Sequence, residues 1–402
     1  MNWVPGCDQR LNHLAVLIYG RVKEFPDPSL TEVSQMNRRE FSKLLGGVAA
    51  LWSQRAYAQQ QAAPSNPIRR DWLDRRKEPI LEPELSIIDP HHHLWQRPGW
   101  RYLLDDLLLD TGSGHNIVAT VYMEASSMYR DRGPEEMRTV GEVEFANGVA
   151  AMCDSGVFGK TRVAAGIVGH ADMMLGSRVE PVLTALMRAG GDRFRGIRHG
   201  VSWEAEAATL RPNPSTRAGM LADKKFREGV ALVGRLGLSY DVSLYHTQIS
   251  EVADLASVLP NTRIVLNHVG GVLGLGSYRS KRDEVFARWS SSIKVLAARP
   301  NVFVKLGGLG QSYTSLRFDE DAEPPSSEMV AARFRPYIET CIAAFGTSRC
   351  MFESNFPVDK ISYSYHVFWN ACKLMARGAS STEKADLFGG AAARCYRLNV
   401  IG

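Results

Sequence analysis

Eight short runs rich in Val, Ile, Leu and aromatic residues recur after Leu85, each divided from the next by a stretch long enough to hold a helix. The runs cover 86–89, 117–123, 163–168, 194–197, 239–244, 263–267, 302–306 and 350–352. Between them, 142–152, 178–189, 225–236, 249–258, 281–298 and 329–345 carry apolar residues at helical spacing. Parallel neighbouring strands need a long crossover connection, and a helix is what usually fills it. Strand–helix alternation repeated eight times over roughly 310 residues fits a closed barrel. An open doubly wound sheet would carry a Gly-rich phosphate loop after its first strand. The stretch Asp89-Pro-His-His-His-Leu-Trp95 contains no Gly. The fold expected is therefore α/β, a single (β/α)8 TIM-like barrel over 85–402.

Composition narrows the function classes. With 45% hydrophobic and 23% charged residues, the 402-residue chain has the balance of a globular protein. The net charge of +5, from 48 basic and 43 acidic residues, is too small and dispersed for nucleic-acid binding. No apolar run reaches the roughly 20 residues of a membrane span, so no stable membrane insertion is expected. Cys7, Cys153, Cys341, Cys350, Cys372 and Cys395 form no C-x-x-C pair, which suggests neither a zinc ribbon nor a dense disulfide framework.

Residues 37–59 contain Arg38-Arg39, Phe41, Lys43, a mild apolar stretch from Leu44 to Trp52, and Ala56-Tyr57-Ala58. In that order they resemble a twin-arginine export signal with its small-residue cleavage site. Such a signal begins near an initiator. The expectation is that translation starts at Met36, that 1–35 is a misassigned extension, and that 36–58 is removed. The 59–84 segment then reads as a linker or a tail lying on the domain. The partners expected are the twin-arginine export machinery and a small-molecule substrate, with the protein exported folded and periplasmic or secreted.

Barrel chemistry sits at the C-terminal ends of the strands, so the polar residues closing each run are the ones to read. The first run leads into His91, His92 and His93 and the second into Glu124. The fourth leads into Arg198 and His199, the fifth into His246 and the sixth into His268. The seventh contains Lys305, and the eighth closes with Glu353, Ser354 and Asn355, followed by Asp359. Residues two apart on a strand share a face, so His91 and His93 point together and His92 points away. With His268 they would give three nitrogen ligands to a divalent metal. Alternatively, the histidines bind substrate oxygens or one another without a metal.

The stretches I-I-D-P-H-H-H-L-W, R-F-R-G-I-R-H, G-L-S-Y-D-V-S-L-Y-H-T-Q, V-L-N-H-V-G-G, N-V-F-V-K-L-G-G, M-F-E-S-N-F-P-V-D-K and L-F-G-G-A-A-A-R-C-Y-R-L occur in that order from about Ser86 onward. Together they resemble the amidohydrolase-related metal-dependent hydrolases, and within them the branch of sugar lactonases and pyrone-dicarboxylate lactonases. The resemblance implies a (β/α)8 barrel that opens a lactone or related ester with an activated water, with His91, His93 and His268 as the metal set. Some members of that branch use zinc or manganese and others need no metal, so a metal-free mechanism stays open. Relatives that decarboxylate aromatic or unsaturated acids, and a non-catalytic ligand-binding barrel, are the alternatives.

One departure from the family pattern stands out. The eighth strand of such barrels usually ends in an Asp that touches the metal and takes the proton from water, and here Asn355 stands there. An amide is no base at neutral pH. Three repairs suggest themselves: Asp359 swings in, Glu353 serves as base, or His246 or His268 activates water while Asn355 orients it. Arg198 and Lys305 are candidates for binding a substrate anion or a developing oxyanion, or for an interior ion pair with Glu124. Glu124, His199, His246 and Trp95 complete the candidate substrate-binding set. The connections 203–220 and 307–327 are long enough to act as lids.

Overall fold

Apolar runs buried along their length become the barrel staves: β1 (Ile87–His92), β4 (Ile117–Met123), β5 (Arg162–Gly169), β6 (Phe194–Arg198), β7 (Ser239–Val242), β8 (Arg263–Leu266), β9 (Val302–Leu306) and β10 (Cys350–Phe352). A small hairpin, β2 (Trp95–Arg97) and β3 (Trp100–Tyr102), follows β1. This computed structural model describes residues 67–206, 213 and 215–399. The expected export signal, the residues before it, the start of the 59–84 segment and part of the 203–220 connection lie outside those residues. Among the described residues, no helix is long and apolar enough to cross a membrane.

The eight staves pair in parallel in the order β1-β4-β5-β6-β7-β8-β9-β10. The circle closes just beyond β10. His92 bridges Phe356 in parallel, the His93 N–H donates to the Phe356 carbonyl at 2.8 Å, and the Asn355 N–H donates to the His91 carbonyl at 3.0 Å. Strand β1 runs three residues beyond the expected 86–89 because His92 pairs with Tyr122 of β4. The histidine triplet thus begins inside the barrel wall rather than in a loop.

The helices are α1 (Arg70–Leu73), α2 (Leu104–Thr111), α3 (Val140–Asp154), α4 (Glu180–Gly190), α5 (Lys224–Arg235), α6 (Ile249–Val258), α7 (Arg282–Ala297), α8 (Ser327–Phe345), α9 (Tyr365–Met375), α10 (Ser381–Ala385) and α11 (Ala391–Tyr396). Asp223 and Ser326 start α5 and α8 by accepting hydrogen bonds from Lys225 and Met329 backbone N–H groups, the donors that a helix start leaves unpaired. The larger core lies between staves and helices. A second core inside the barrel joins Ile88, Val121, Met123, Val265 and Met351 to Cys395 and Tyr396 of α11. Helix α11 thereby closes the barrel floor.

The described part of the 59–84 segment is packed rather than free. Ile68, Trp72 and Leu73 are buried, and the Trp72 indole N–H donates to the Ala322 carbonyl at 3.1 Å. Arg75 and Arg76 donate to the carbonyls of Ala322 and Pro324, while the Lys373 ammonium holds those of Leu81 and Glu82 at 2.7 and 2.9 Å. The segment therefore ties down the 307–327 connection. The acidic run of that connection is ion-paired, Asp319 and Glu320 each lying 2.7 Å from Arg317. Cys153, Cys341, Cys350, Cys372 and Cys395 are all free and buried.

Candidate active site

Strand alternation sorts the three histidines of β1. His92 turns to the wall, its Nε2 2.9 Å from Thr120 Oγ1 and its ring edge-on to Tyr122. Burial pushes its pKa down to about 3, so it is neutral. His91 and His93 turn the other way and bring their Nε2 atoms within 3.2 Å of one another. His93 Nδ1 lies 2.8 Å from the Met123 carbonyl, which only accepts, so the proton sits on Nδ1 and Nε2 is bare. Beside His91 Nδ1, the Glu353 Oε2 atom is in contact at 2.6 Å, and a carboxylate so close favours the proton on that nitrogen. Burial first, then the nearby Lys305, holds the His91 imidazole well below the ordinary histidine value; burial and then Arg198 do the same to His93.

Glu353 is the joint of the site. Its other oxygen, Oε1, accepts from the His268 backbone N–H at 3.1 Å and lies 2.8 Å from His268 Nδ1. One carboxylate thus fixes two imidazoles whose ring centres are 4.6 Å apart. His268 has a left-handed backbone, φ 58°, and its ring lies against Gly308. A Cβ on Gly308 would come within 2.4 Å of that ring, and φ there is +69°, so only glycine fits both demands.

Asn355 occupies the place of the expected Asp. Its Oδ1 faces His93 Nε2 at 3.3 Å, while its Nδ2 donates to Asp359 Oδ1 at 2.8 Å. Asp359 does not swing toward the histidines. Its Oδ2 accepts from the Gly310 N–H at 3.0 Å and the Tyr363 hydroxyl at 2.5 Å. Burial outweighs these bonds and pushes its pKa up to about 6.

The two interior cations are both paired. Arg198 Nε contacts Glu124 Oε1 at 2.6 Å, a second guanidinium nitrogen donates to the Glu124 carbonyl, and Nη1 reaches His91 Nε2 at 3.2 Å. Burial pulls the Glu124 pKa up, but Arg198 outweighs it and the net shift is downward. Lys305 pairs not with Glu124 but with Asp241, at 3.0 Å, and also lies 3.3 Å from His91 Nδ1. Asp241 further accepts from Tyr396 at 2.7 Å and Asn267 at 3.0 Å. The turn that carries Glu124 hangs on Glu142 of α3, whose Oε1 accepts from the backbone N–H groups of Ala125 and Ser127 at 2.7 and 3.0 Å. Burial, then the neighbouring Glu124, raises the Glu142 carboxyl to about 8.

Trp95 stacks on His93 at 5.6 Å, with Arg97 lying 4.1 Å over its other side. Two expected site histidines also brace the backbone. His246 Nδ1 accepts from the Leu273 N–H at 3.3 Å with its ring edge-on to Tyr278, and His199 Nδ1 accepts from the Met173 N–H at 3.0 Å. Burial lowers both to about 4. Asp241, Glu142 and His170 are absent from the residues expected on sequence grounds. His170 directly follows β5, 5.2 Å from the His199 ring, and the Gly-His step after the third apolar run is the signal that marks it.

His91, His268 and Glu353 offer ligand atoms within 4.8 Å of one another. Glu353, however, already contacts the Nδ1 atoms of both rings, the arrangement of a carboxylate that orients imidazoles toward a metal. On the far side, His91 Nε2, His93 Nε2 and Asn355 Oδ1 converge, with Arg198 Nη1 beside His91 Nε2 at 3.2 Å. That nitrogen and oxygen donor set fits a divalent ion such as zinc or manganese.

A parallel barrel with a histidine pair and a carboxylate at its strand ends defines the amidohydrolase class of hydrolases. The family's sequence profile, described as amidohydrolase, matches residues 88–398, and the chain belongs to that family. It is 33% identical over 337 residues to an uncharacterized protein, y4mH, of Sinorhizobium fredii, covering 78% of this chain and 99% of that one. To L-fucono-1,5-lactonase of Burkholderia multivorans it is 28% identical over 324 residues, or 77% of this chain and 96% of the relative. Among solved structures, an amidohydrolase from Burkholderia multivorans with bound zinc superposes with a TM-score of 0.58 at 25% identity, over 78% of this chain and 99% of that one.

Proposed function

We propose that this hydrolase opens a lactone, and that its substrate is a neutral, hydroxylated ring rather than an anionic one. The observation that carries the reading is the facing pair of bare imidazole nitrogens, His91 Nε2 and His93 Nε2, 3.2 Å apart. Such a pair takes one proton from a water and leaves an oxygen lone pair for a carbonyl carbon. Similarity to L-fucono-1,5-lactonase supports a lactone as the carbonyl source. Because Arg198 and Lys305 are already paired with Glu124 and Asp241, the site favours a neutral substrate over a pyrone dicarboxylate or an aromatic acid.

A bound divalent ion would polarise the water and the carbonyl. The chain's own residues do the remainder. His91, with Glu353 at its Nδ1 to stabilise the imidazolium, accepts the water proton at Nε2. The water oxygen bonds to the carbonyl carbon, and Arg198 Nη1, which faces the same nitrogen, donates to the developing oxyanion. Collapse breaks the ring C–O bond, and the imidazolium proton passes to the leaving alkoxide. The product is a hydroxy acid that releases one proton at neutral pH. Trp95 supplies an apolar wall.

A pH-indicator assay tests this directly. L-Fucono-1,5-lactone should release acid, His91→Ala and His93→Ala should each lower the rate at least a hundredfold, and 2-pyrone-4,6-dicarboxylate should be slower by a similar factor. Inertness toward lactones, esters and amides, with and without zinc or manganese, overturns the proposal; carbon dioxide release from an aromatic acid would redirect it to decarboxylation. The segment 36–58 alone supports the further reading that the reaction takes place after folded export. A mature N-terminus near Gln59 in the periplasmic fraction is the expected result.

A further inference from the structure

We infer that Asp359 is the positioning residue of this site, holding the Asn355 amide so that its oxygen, not its nitrogen, faces His93. The inference rests on the hydrolase reading above, although its geometry is independent of any substrate. A carboxylate only accepts, so the amide nitrogen must turn toward Asp359, at 2.8 Å, and the oxygen toward His93 Nε2, at 3.3 Å. Left alone, the amide would rotate and donate its N–H to the bare Nε2, an ordinary hydrogen bond that would close the site to a water proton or a cation. The charge-assisted bond to Asp359 outcompetes it.

Both ends of this device are fixed. Asp359 is fully buried and held by the Gly310 N–H at 3.0 Å and the Tyr363 hydroxyl at 2.5 Å. The Asn355 backbone donates to the His91 carbonyl at 3.0 Å and accepts from the Asp359 N–H at 3.2 Å. The carboxylate expected at 355 has in effect moved one turn along the chain, and an amide stands between it and the histidine. It follows that the two side chains form an exchangeable pair. In N355D/D359N, the new amide nitrogen at 359 would donate to the new carboxylate at 355, while the amide oxygen keeps Gly310 and Tyr363. In D359N alone, one amide oxygen cannot serve both Asn355 Nδ2 and Gly310.

Nitrogen-15 NMR of the histidine rings in metal-free protein reads the amide orientation without substrate or metal. In D359N the His93 Nε2 resonance should move upfield, toward that of a nitrogen accepting a hydrogen bond, whereas in N355D/D359N, which sets a carboxylate against that nitrogen, it should move much further upfield, to the position of a protonated nitrogen. With L-fucono-1,5-lactone, D359N should lose at least tenfold in kcat at nearly constant KM, and the double variant should recover most of that loss. An unmoved His93 resonance in D359N, or a double variant whose His93 resonance coincides with that of D359N, overturns the inference. A correct NMR pattern without lactone turnover would instead discard the lactone reading and leave the positioning role standing. Should D359N not fold, the double variant and Tyr363→Phe, which removes one of the two donors to Asp359 Oδ2, carry the comparison; a His93 resonance at its wild-type position in both would count against it.

Discussion

Glu142 shows how one side chain can couple structure to pH. Its carboxyl is held neutral in the folded protein up to about 8, whereas the unfolded chain ionises near 4.5. Between those values the folded state binds one more proton, so the stabilisation is complete below 4.5 and is lost as pH rises through 8. Glu142→Gln keeps an acceptor for Ala125 and Ser127 and has no charge to bury. We expect it to match wild type at pH 5 and to be more stable by about 2 kcal/mol at pH 9, read by urea denaturation. Residues of this kind are opaque in the sequence. The histidines at strand ends stand out because strand ends share one face of a barrel. Nothing in a linear chain, however, records that Lys305 meets Asp241 rather than Glu124, or that Glu142, one apolar-flanked acid in a helix, reaches back to the preceding turn.

At the scale of elements, the staves are legible because burial on both faces makes them nearly continuous apolar runs, and their boundaries agree with the observed strands to within a few residues. The hairpin Trp95–Tyr102 escapes such a reading, although Pro98-Gly99 marks its turn and Gly99 has φ +70°. Helices α9 to α11 escape it as well: α9 and α11 bury aromatic and small residues on several sides, and α10 is five residues long with none buried. The meeting of β8 and β9 makes a testable element: Gly308→Ala would thrust a methyl into the His268 ring. We expect at least a tenfold loss of kcat and a destabilisation of about 2 kcal/mol, checked by steady-state kinetics alongside thermal unfolding. Unchanged kinetics would show that the His268 position has slack.

For the whole molecule, the barrel is braced at two places besides its wall. Helix α11 fills the floor, and residues 67–84 bind the 307–327 connection from outside. Trp72→Ala removes the buried anchor of that outer strap and should cost about 3 kcal/mol. It should also expose the connection near Ala322 to protease before the rest of the domain, as limited digestion followed by mass spectrometry would reveal; cleavage elsewhere first would argue against a strap.

The closure of the barrel has one more consequence. The hydrogen bonds joining first stave to last belong to His91, His93, Asn355 and Phe356, so the chain is sewn shut by the backbone of three residues whose side chains face the reacting space and of one, Phe356, that packs against Tyr363 and Tyr365. Any change that loosens that seam therefore parts the histidines from the amide as well. Closing the ring and arranging the site are one and the same structural requirement.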